Sequence, residues 1–409
     1  MRNAENGDQS LVARSIEVIR RNQHPSGAYV ASPEFPSYAY CWLRDGTFTA
    51  YAMDLFGEHG SARAYHLWVN RTILANRARL EDAVEAVRAG RKIASDALLP
   101  ARFTLDGGRD LSDWPNFQLD GYGTWLWGLA EHVGLTTGDV ALLRKTQEGV
   151  RLTLEYLGLC WRMPNHDCWE EHGDRVHTST LVCLAGGIGR IAALTGDARA
   201  GALAAEIREY ILKHGVVEGR LSKFCHPCRV GQSVSPERPG RGGTAVGSAR
   251  GGDGNDSGEC RKPELGREVD ASLLWAAMPF DALDPLDPRM VRTVEKIERD
   301  LVRGHGVRRY ATDTYYGGGL WLLLSAWLGW YYCRVGRRAE AASCLEWIEA
   351  RADEEGLMPE QVSVDLIEPA YYQPWVDRWG PVAKPLLWSH AMYLVLWHEL
   401  RGSERGIRS

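Results

Sequence analysis

Two glutamates that directly follow a tryptophan are the first candidates for chemistry, Glu170 and Glu171 in the stretch CWEEHGDR. A third candidate, Glu360, lies in the stretch MPEQ, which is predicted to be a loop. Hydrolysis of a glycosidic bond needs one protonated carboxyl to donate to the leaving oxygen and one carboxylate to activate water or attack carbon. An apolar wall and a nearby like charge both raise the pKa of a carboxyl. The pattern therefore predicts that Trp169 and Glu171 keep Glu170 protonated as a general acid, and that Glu360 is its partner.

Other clusters combine a flat ring with groups that form hydrogen bonds, which is the combination that a sugar requires. An aromatic face stacks on the C–H face of a pyranose, while arginine and carboxylate groups bind its hydroxyls. Each cluster alone could be a helix cap, a local ion pair or an ordinary turn, and Glu360 alone could be a surface glutamate. Because the clusters recur at equivalent places, they predict one sugar-binding site that contains Trp42, Arg44, Asp45, Trp114, Gln118, Asp120, Trp169, Glu171, Arg309 and Asp313.

The composition fits a sugar-binding protein and argues against other classes. The chain has 16 tryptophans and 16 tyrosines but 7 phenylalanines, although a Trp-rich core would explain these numbers too. A net charge of −5, with both signs spread along the chain, indicates no nucleic-acid partner. The N-terminus lacks the apolar core of a signal peptide, and no run of about 18 apolar residues indicates a membrane span. Nine irregularly spaced cysteines favour reduced thiols, so we expect a cytoplasmic protein without membrane contact.

Apolar residues at helical spacing dominate the chain, and strand signals are scarce. About twelve helices are predicted, at 8–22, 45–57, 60–89, 121–135, 138–160, 178–195, 198–214, 269–278, 287–303, 318–335, 337–354 and 384–401. Six connections that hold aromatic and charged clusters each precede an apolar helix. Six such hairpins predict an all-α (α/α)6 barrel with six inner and six outer helices. Its clusters would meet at the N-terminal ends of the inner helices, where unpaired N–H groups favour a polar pocket. A helical protein of two domains fits the same segments.

Residues 229–263 break this pattern because they are rich in Gly, Arg, Ser and Pro and almost free of large apolar residues. Such a segment buries too little surface to order itself. It is predicted to be a flexible insertion within a single catalytic domain that spans residues 1–409. The stretch CHPC at 225–228 precedes the insertion and Cys260 lies inside it, but their spacing matches no standard zinc site, and we expect no metal.

Through these residues the chain resembles glycoside hydrolase family 15, the glucoamylase family, from about residue 38 to residue 398. The motifs that carry the resemblance are YCWLRDGTFTAYAM, CWEEHG, RRYATDTYYGGGLW, GLMPEQ and KPLLWSHAMYL. The resemblance implies an (α/α)6 barrel, inversion of the anomeric configuration, and no cofactor. It also implies that Glu170 is the general acid and Glu360 the general base. The motif residues that the resemblance makes candidates for contact with the sugar are Arg44, Asp45, Glu171, Arg309 and Trp388.

The resemblance also has departures that bear on the substrate. About 35 residues precede the first motif, too few for the β-sandwich domain that many bacterial members carry, and no starch-binding module follows the last helix. We therefore expect an exo-acting enzyme that releases β-glucose from short α-1,6- or α-1,4-linked oligosaccharides, as isomaltose-type members of the family do. The alternatives are a trehalase of the same family, a disaccharide phosphorylase on a similar barrel, or a sugar-binding protein without activity. Linkage, chain length and oligomeric state stay open.

Overall fold

A computed structural model describes residues 2–93, 97–225 and 268–405 of the chain. Within these ranges the chain consists mainly of α-helices joined by loops and two-residue strands. The predicted insertion at 229–263 lies outside the described residues, so its flexibility stays a prediction, as does the single domain. Of the CHPC stretch, only Cys225 is described, and its side chain is buried.

Thirteen α-helices are present in the described part of the chain. They are α1 (Arg2–Arg21), α2 (Leu43–Leu55), α3 (His59–Ala75), α4 (Arg77–Arg88), α5 (Asp120–Leu135), α6 (Val140–Cys160), α7 (Thr178–Thr195), α8 (Ala198–His214), α9 (Pro288–Leu301), α10 (Leu322–Arg334), α11 (Arg338–Glu349), α12 (Tyr372–Trp379) and α13 (Leu387–Arg405). A 3-10 helix at Ala271–Ala276 completes the set of helices that form the barrel.

Six of these elements form a closed inner ring in which each packs against the next. Around the ring they are α2, α5, α7, the 3-10 helix, α10 and α13, and α13 packs back against α2. Helices α2, α5, α7 and α10 are buried along almost their whole length, as expected for helices that are apolar on every side. Gly128 permits the close approach of α5 to α2, because a Cβ at this position would overlap the side chain of Thr47.

Six outer helices cover this ring and bury only one face each. Helix α3 packs on α2 and α6, α6 on α5, α8 on α7, α9 on the 3-10 helix, α11 on α10, and α1 on α13. In α9 the buried apolar residues are Met290, Val294, Ile297 and Leu301, three to four positions apart, which is the spacing of one helical face. The alternation of inner and outer helices confirms the predicted (α/α)6 barrel.

Three details differ from the predicted helices. The segment 60–89 forms two helices, because the chain leaves the helical path at Asn76, whose side chain donates to Thr72 O at 2.9 Å. The segment 269–278 forms a 3-10 helix instead of an α-helix. Helix α12 was not predicted, because it is short and has no fully buried residue.

Short strands hold the loops at the N-terminal ends of the inner helices. The strands are β1 (Cys41–Trp42), β2 (Arg102–Phe103), β3 (Val216–Val217), β4 (Arg220–Leu221), β5 (Val302–Arg303), β6 (Gly306–Val307), β7 (Leu320–Trp321) and β8 (Gln361–Val362). Strand β1 pairs with β2 and leads directly into α2, while β7 leads into α10 and pairs with β8. Because β8 directly follows Glu360, this pairing fixes the candidate base next to the entrance of α10.

Helix α7 has a length and composition that would suffice to cross a membrane, a feature that the sequence analysis did not single out. In the fold, 72% of it is buried inside the protein. This is the position expected for an inner helix of the barrel, where every side of the helix faces other protein groups.

Candidate active site

The loops before the inner helices surround a pocket of about 720 Å³, a volume within the range of small-molecule sites, about 300–1,000 Å³. Its walls combine aromatic rings with arginine and carboxylate groups. The predicted residues that line it are Trp42, Arg44, Asp45, Trp114, Trp169, Glu170, Glu171, Arg309, Glu360 and Trp388. Residues from distant parts of the chain therefore meet in one cavity.

Arg44, in the first turn of α2, connects several carboxyl groups in the wall of the pocket. One terminal nitrogen lies 2.8 Å from Asp120 Oδ2 and donates to Gln118 Oε1 at 3.2 Å. The other lies 3.5 Å from Glu170 Oε1 and 3.7 Å from Asp45 Oδ2. The guanidinium is 4% exposed, so these contacts fix its orientation toward the pocket.

Asp45 and Arg44 together offer donors and an acceptor to a ligand. Burial raises the pKa of Asp45 to about 6, and the nearby Asp120 adds to this rise while Arg44 opposes it. The ring of Trp388 lies under the guanidinium, with 5.1 Å between Arg44 Cζ and the ring centroid, a cation–π distance. A flat ring beside such a pair suits a pyranose that presents both C–H faces and hydroxyls.

Glu170 lies in the loop before α7 and has an unusual backbone conformation. Its φ angle is 62°, in the left-handed region that costs a non-glycine residue about 1 kcal/mol. Its N–H donates to Asp167 O at 3.0 Å, and its Oε1 accepts hydrogen bonds from Trp42 Nε1 and Gln118 Nε2, both at 3.2 Å. These contacts direct the side chain, which is 21% exposed, into the pocket.

Burial raises the pKa of Glu170 to about 7, and two further carboxyl groups, Asp45 and Asp167, add to this rise. Arg44 and Gln118 act in the opposite direction. The like charges that contribute most to this rise are therefore Asp45 and Asp167, whereas the sequence analysis assigned this effect to Glu171. A carboxyl that is protonated near neutral pH is nevertheless what the sequence predicted for Glu170.

Glu171 faces a different set of partners from its neighbour. Tyr310 Oη donates to its Oε2 at 2.5 Å, and Arg309 Nη2 lies 3.4 Å from its Oε1. Arg309 is itself held by a two-point contact with Asp313, at 2.8 and 2.5 Å. The two adjacent glutamates therefore have separate cations as partners, Arg44 for Glu170 and Arg309 for Glu171.

Buried charges behind the CWEEHG loop maintain its shape. Asp167 Oδ1 accepts from the backbone N–H groups of Trp169 and Glu171, at 3.0 and 2.9 Å. Trp169 Nε1 donates to Asp270 at 3.1 Å. Lys223, which is 3% exposed, lies 3.6 Å from Asp167 Oδ2 and 3.0 Å from Asp270 Oδ2. Removal of one member of such a buried network typically costs about 3–5 kcal/mol, so the loop depends on Lys223.

Glu360 lies on the other side of the pocket and is 3% exposed. Its N–H donates to Ala383 O at 2.9 Å, and its Oε1 accepts from Tyr38 Oη at 3.0 Å. Its Oε2 has no hydrogen-bond partner within the described ranges. Burial raises the pKa of Glu360 to about 8, with Glu170 adding to the rise and with Tyr38 and Arg309 opposing it.

Two aromatic residues stand between the candidate acid and the candidate base. Trp42 donates to Glu170 and Tyr38 donates to Glu360. The two rings meet edge to face, with 5.5 Å between their centroids. Trp42 and Tyr38 therefore link the two carboxyl groups along the wall of one pocket, and all four residues line it.

Three predicted sugar-binding residues lie behind the wall of the pocket instead of in it. Gln118, Asp120 and Asp313 are at most 1% exposed. Gln118 and Asp120 contact Arg44, and Asp313 contacts Arg309. Each of them therefore orients an arginine, and their direct contact with a sugar stays a prediction.

Several lining residues were missed by the sequence analysis. Tyr38 was visible only as part of an aromatic run. Arg102 lies in no motif, yet it is part of the pocket wall, where its Cζ lies 3.9 Å from the ring centroid of Trp114. Trp375 and Trp379 line the pocket from α12. A local sequence signal could have indicated the tryptophans, since both occur in the long cluster between residues 354 and 390. No local signal points to Arg102.

Comparison with known proteins agrees with this geometry. Residues 7–398 match the family described as glycosyl hydrolases family 15. An isomaltose glucohydrolase from Kribbella flavida is 37% identical over 397 residues, covering 95% of this chain and 92% of the relative. A solved glycosidase structure superimposes with a TM-score of 0.83 at 36% identity, covering 97% of each chain. A glucoamylase from Saccharomycopsis fibuligera gives a TM-score of 0.67 at 14% identity, covering 98% of this chain and 95% of the other.

The chain belongs to glycosyl hydrolases family 15. It is a glycoside hydrolase on an (α/α)6 barrel, and the pocket described above lies at the end of the barrel where the inner helices begin. The resemblance stated from the motifs is thereby confirmed.

Proposed function

We propose that the protein is an inverting, exo-acting glucohydrolase that releases β-glucose from short α-linked gluco-oligosaccharides, with isomaltose as its preferred substrate. The observation that carries the proposal is the placement of two carboxyl groups with raised pKa values, Glu170 and Glu360, in the wall of one pocket. The full-length similarity to an enzyme named isomaltose glucohydrolase supports the choice of linkage. Trehalose and α-1,4-linked substrates are the next candidates.

Glu170 is assigned the role of general acid. Its pKa, raised to about 7 by burial, provides a protonated carboxyl near neutral pH. Arg44 and Asp45 lie beside it and bind hydroxyls of the non-reducing glucose. Glu171, whose partners are Arg309 and Tyr310, contacts the sugar without donating a proton.

Glu360 is assigned the role of general base. Its Oε2, which has no partner among the described residues, accepts a hydrogen bond from the attacking water. A bond from water favours the charged form of a carboxyl and so lowers its pKa. Water then attacks the anomeric carbon from the face opposite the leaving oxygen, Glu360 takes the water proton, and Glu170 protonates the leaving group. No metal or cofactor takes part in these steps.

The experiment is an early-time ¹H NMR assay in phosphate-free buffer with isomaltose, maltose, trehalose and a dextrin. We expect β-glucose to appear first, and we expect isomaltose to have the highest kcat/KM. Early α-glucose would overturn the inverting mechanism. A requirement for phosphate would indicate a phosphorylase, and a highest kcat/KM with trehalose would indicate a trehalase. Binding of all four sugars without release of glucose would indicate a sugar-binding protein.

A further inference from the structure

A second cluster of functional groups lies at the opposite end of the barrel. One carboxylate oxygen of Asp54 and one ring nitrogen each of His66 and His132 all lie within 4.8 Å of one another, and all three residues are buried. Asp54 is near the end of α2 and His132 near the end of α5. Because an α-helix rises about 1.5 Å per residue, Asp54 is about 15 Å along α2 from Arg44. The cluster is therefore separate from the sugar pocket.

His66 is the least satisfied residue of this cluster. It is 0% exposed, and neither of its ring nitrogens has a hydrogen-bond partner in the part of the chain that the structure describes. A buried polar group without a partner costs about 1–3 kcal/mol, and a neutral imidazole is the form that coordinates metals.

His132 and His59 have the carboxylate contacts that often orient imidazoles at metal sites. His132 Nδ1 lies 2.8 Å from Asp54 Oδ2, and His59 Nδ1 lies 2.8 Å from Asp54 Oδ1. His132 Nε2 has no hydrogen-bond partner among the described residues and lies 3.9 Å from Asp139 Oδ2. The same carboxylate thus brings two imidazoles together, and a third, that of His66, packs on His132 with 5.3 Å between ring centroids.

The cluster lies next to a cavity at the surface. A shallow cavity of about 530 Å³ is lined by His59, Arg63, His132 and Asp139. His132 therefore borders both the cavity and the buried group. The ligand atoms need to approach one another by roughly 1 Å or more, since Zn–N distances of about 2.0–2.1 Å place tetrahedral ligands about 3.3–3.5 Å apart.

We propose that Asp54, His66 and His132 bind a divalent transition-metal ion, with His59 or water as the fourth ligand. Two or three imidazoles and one carboxylate form a donor set that suits zinc. The ion would join the inner helices α2 and α5 to the outer helix α3, which carries His66 and His59. Its role is structural, because the ends of these helices are remote from the sugar pocket.

The test uses the full chain after removal of metals by a chelator, with zinc as the probe. We expect the wild type to bind one zinc ion per chain in a competition titration and to unfold at a higher temperature with zinc than without it. His66→Gln should weaken zinc binding by at least about 100-fold, whereas His305→Gln, at an exposed loop histidine, should leave it unchanged. Glucose release measured well below the unfolding temperature should not depend on zinc.

Three results would overturn the proposal. The first is no binding by the wild type, which would leave buried water as the partner of His66. The second is binding that persists in His66→Gln. The third is binding that is lost in Cys228→Ser, which would place the ion at the CHPC stretch. If His66→Gln does not fold, the absorption spectrum of the wild type loaded with cobalt is measured instead. Nitrogen and oxygen ligands should give visible d–d bands without the charge-transfer band of a thiolate. A thiolate charge-transfer band would show a cysteine ligand and would also overturn the proposal.

Discussion

The two carboxyl groups of the pocket lie in contrasting surroundings. Glu170 is close to a cation, with Arg44 at 3.5 Å, and accepts two N–H groups. Glu360 is buried and accepts the hydroxyl of Tyr38, while Arg309 and Glu170 shift its pKa in opposite directions. Both pKa values are raised by burial, to about 7 for Glu170 and about 8 for Glu360.

This difference has a consequence for the proposed mechanism. Burial raises both pKa values, so the protein contacts alone do not assign the proton to one carboxyl group, although the mechanism needs it on Glu170. Two carboxyl groups that influence each other share their protons as a pair, so a small change in contacts can move the proton. We infer that the attacking water on Glu360 Oε2 and the glycosidic oxygen beside Glu170 supply that change, so that the acid and the base are fully defined only with substrate bound.

The largest effect is expected when the base is removed. Glu360→Gln should lower kcat on isomaltose by about 10³–10⁴-fold, near the upper end of what general base catalysis contributes, because an amide cannot take the proton of water. The dissociation constant for glucose should change little. Initial rates with isomaltose and a glucose-binding titration measure the two quantities. A kcat within tenfold of the wild type would remove Glu360 from the mechanism.

Removal of the acid should depend on the leaving group. Glu170→Gln should lower kcat on isomaltose by about 10²–10³-fold but have a much smaller effect on α-glucosyl fluoride, whose leaving group needs little protonation. Glu171→Gln is the matched variant, and it should mainly raise KM for both substrates because it removes a sugar contact. Equal losses of kcat on both substrates in Glu170→Gln would contradict the assignment.

A change at Tyr38 tests the environment of the base without touching either carboxyl group. The hydroxyl of Tyr38 lowers the pKa of Glu360, so Tyr38→Phe should raise that pKa. Since the base must be ionised, the acid limb of the profile of kcat/KM against pH should move to higher pH. Activity at pH 7 should fall by about tenfold, as for the loss of one hydrogen bond to a charged group. An unchanged acid limb would show that another group controls it.

The smallest effect concerns stability. Glu360 has an ordinary pKa of 4.5 in the unfolded chain and about 8 in the folded one, so the folded state binds the extra proton between these values. Its contribution to stability therefore falls as pH rises through this window. Glu360→Gln lacks this loss, and its Tm relative to the wild type should increase from pH 5 to pH 8. Glu354→Gln, at an exposed position, serves as the control and should show no such trend.

The barrel could be predicted because its inner helices repeat apolar residues with a helical period and each begins after a polar, aromatic cluster. The same reasoning could not find α12, which is short and has no fully buried residue. It also could not show that 271–276 forms a 3-10 helix, since local hydrogen bonding decides between two helices of similar composition. Both exceptions arise where tertiary contacts, and not the period, determine the conformation.

The sequence predicted which residues form the candidate site but not which partners each of them contacts. The residues with a motif were found, whereas the partners that set their properties are remote in sequence. Asp45, which raises the pKa of Glu170, is 125 positions away by number (170 − 45), and Tyr38 is 322 positions away from Glu360. The sequence analysis attributed the raised pKa of Glu170 in part to its neighbour Glu171, although, among like charges, carboxyl groups elsewhere contribute most. A loop can turn the side chains of adjacent residues in different directions, so adjacency in sequence does not show which groups are in contact.

Closure of the ring by α13 against α2 also determines when the pocket comes into existence during synthesis. The pocket takes Trp42 and Arg44 from the beginning of α2 and Trp388 from the beginning of α13. Chains are made from the N-terminus, and their early parts begin to fold first. A ribosome-bound chain that lacks α13 therefore has a barrel open along one side, with the apolar flanks of α2 and α10 uncovered. Until α13 has emerged, those flanks stay uncovered and the part of the pocket wall that Trp388 forms is missing.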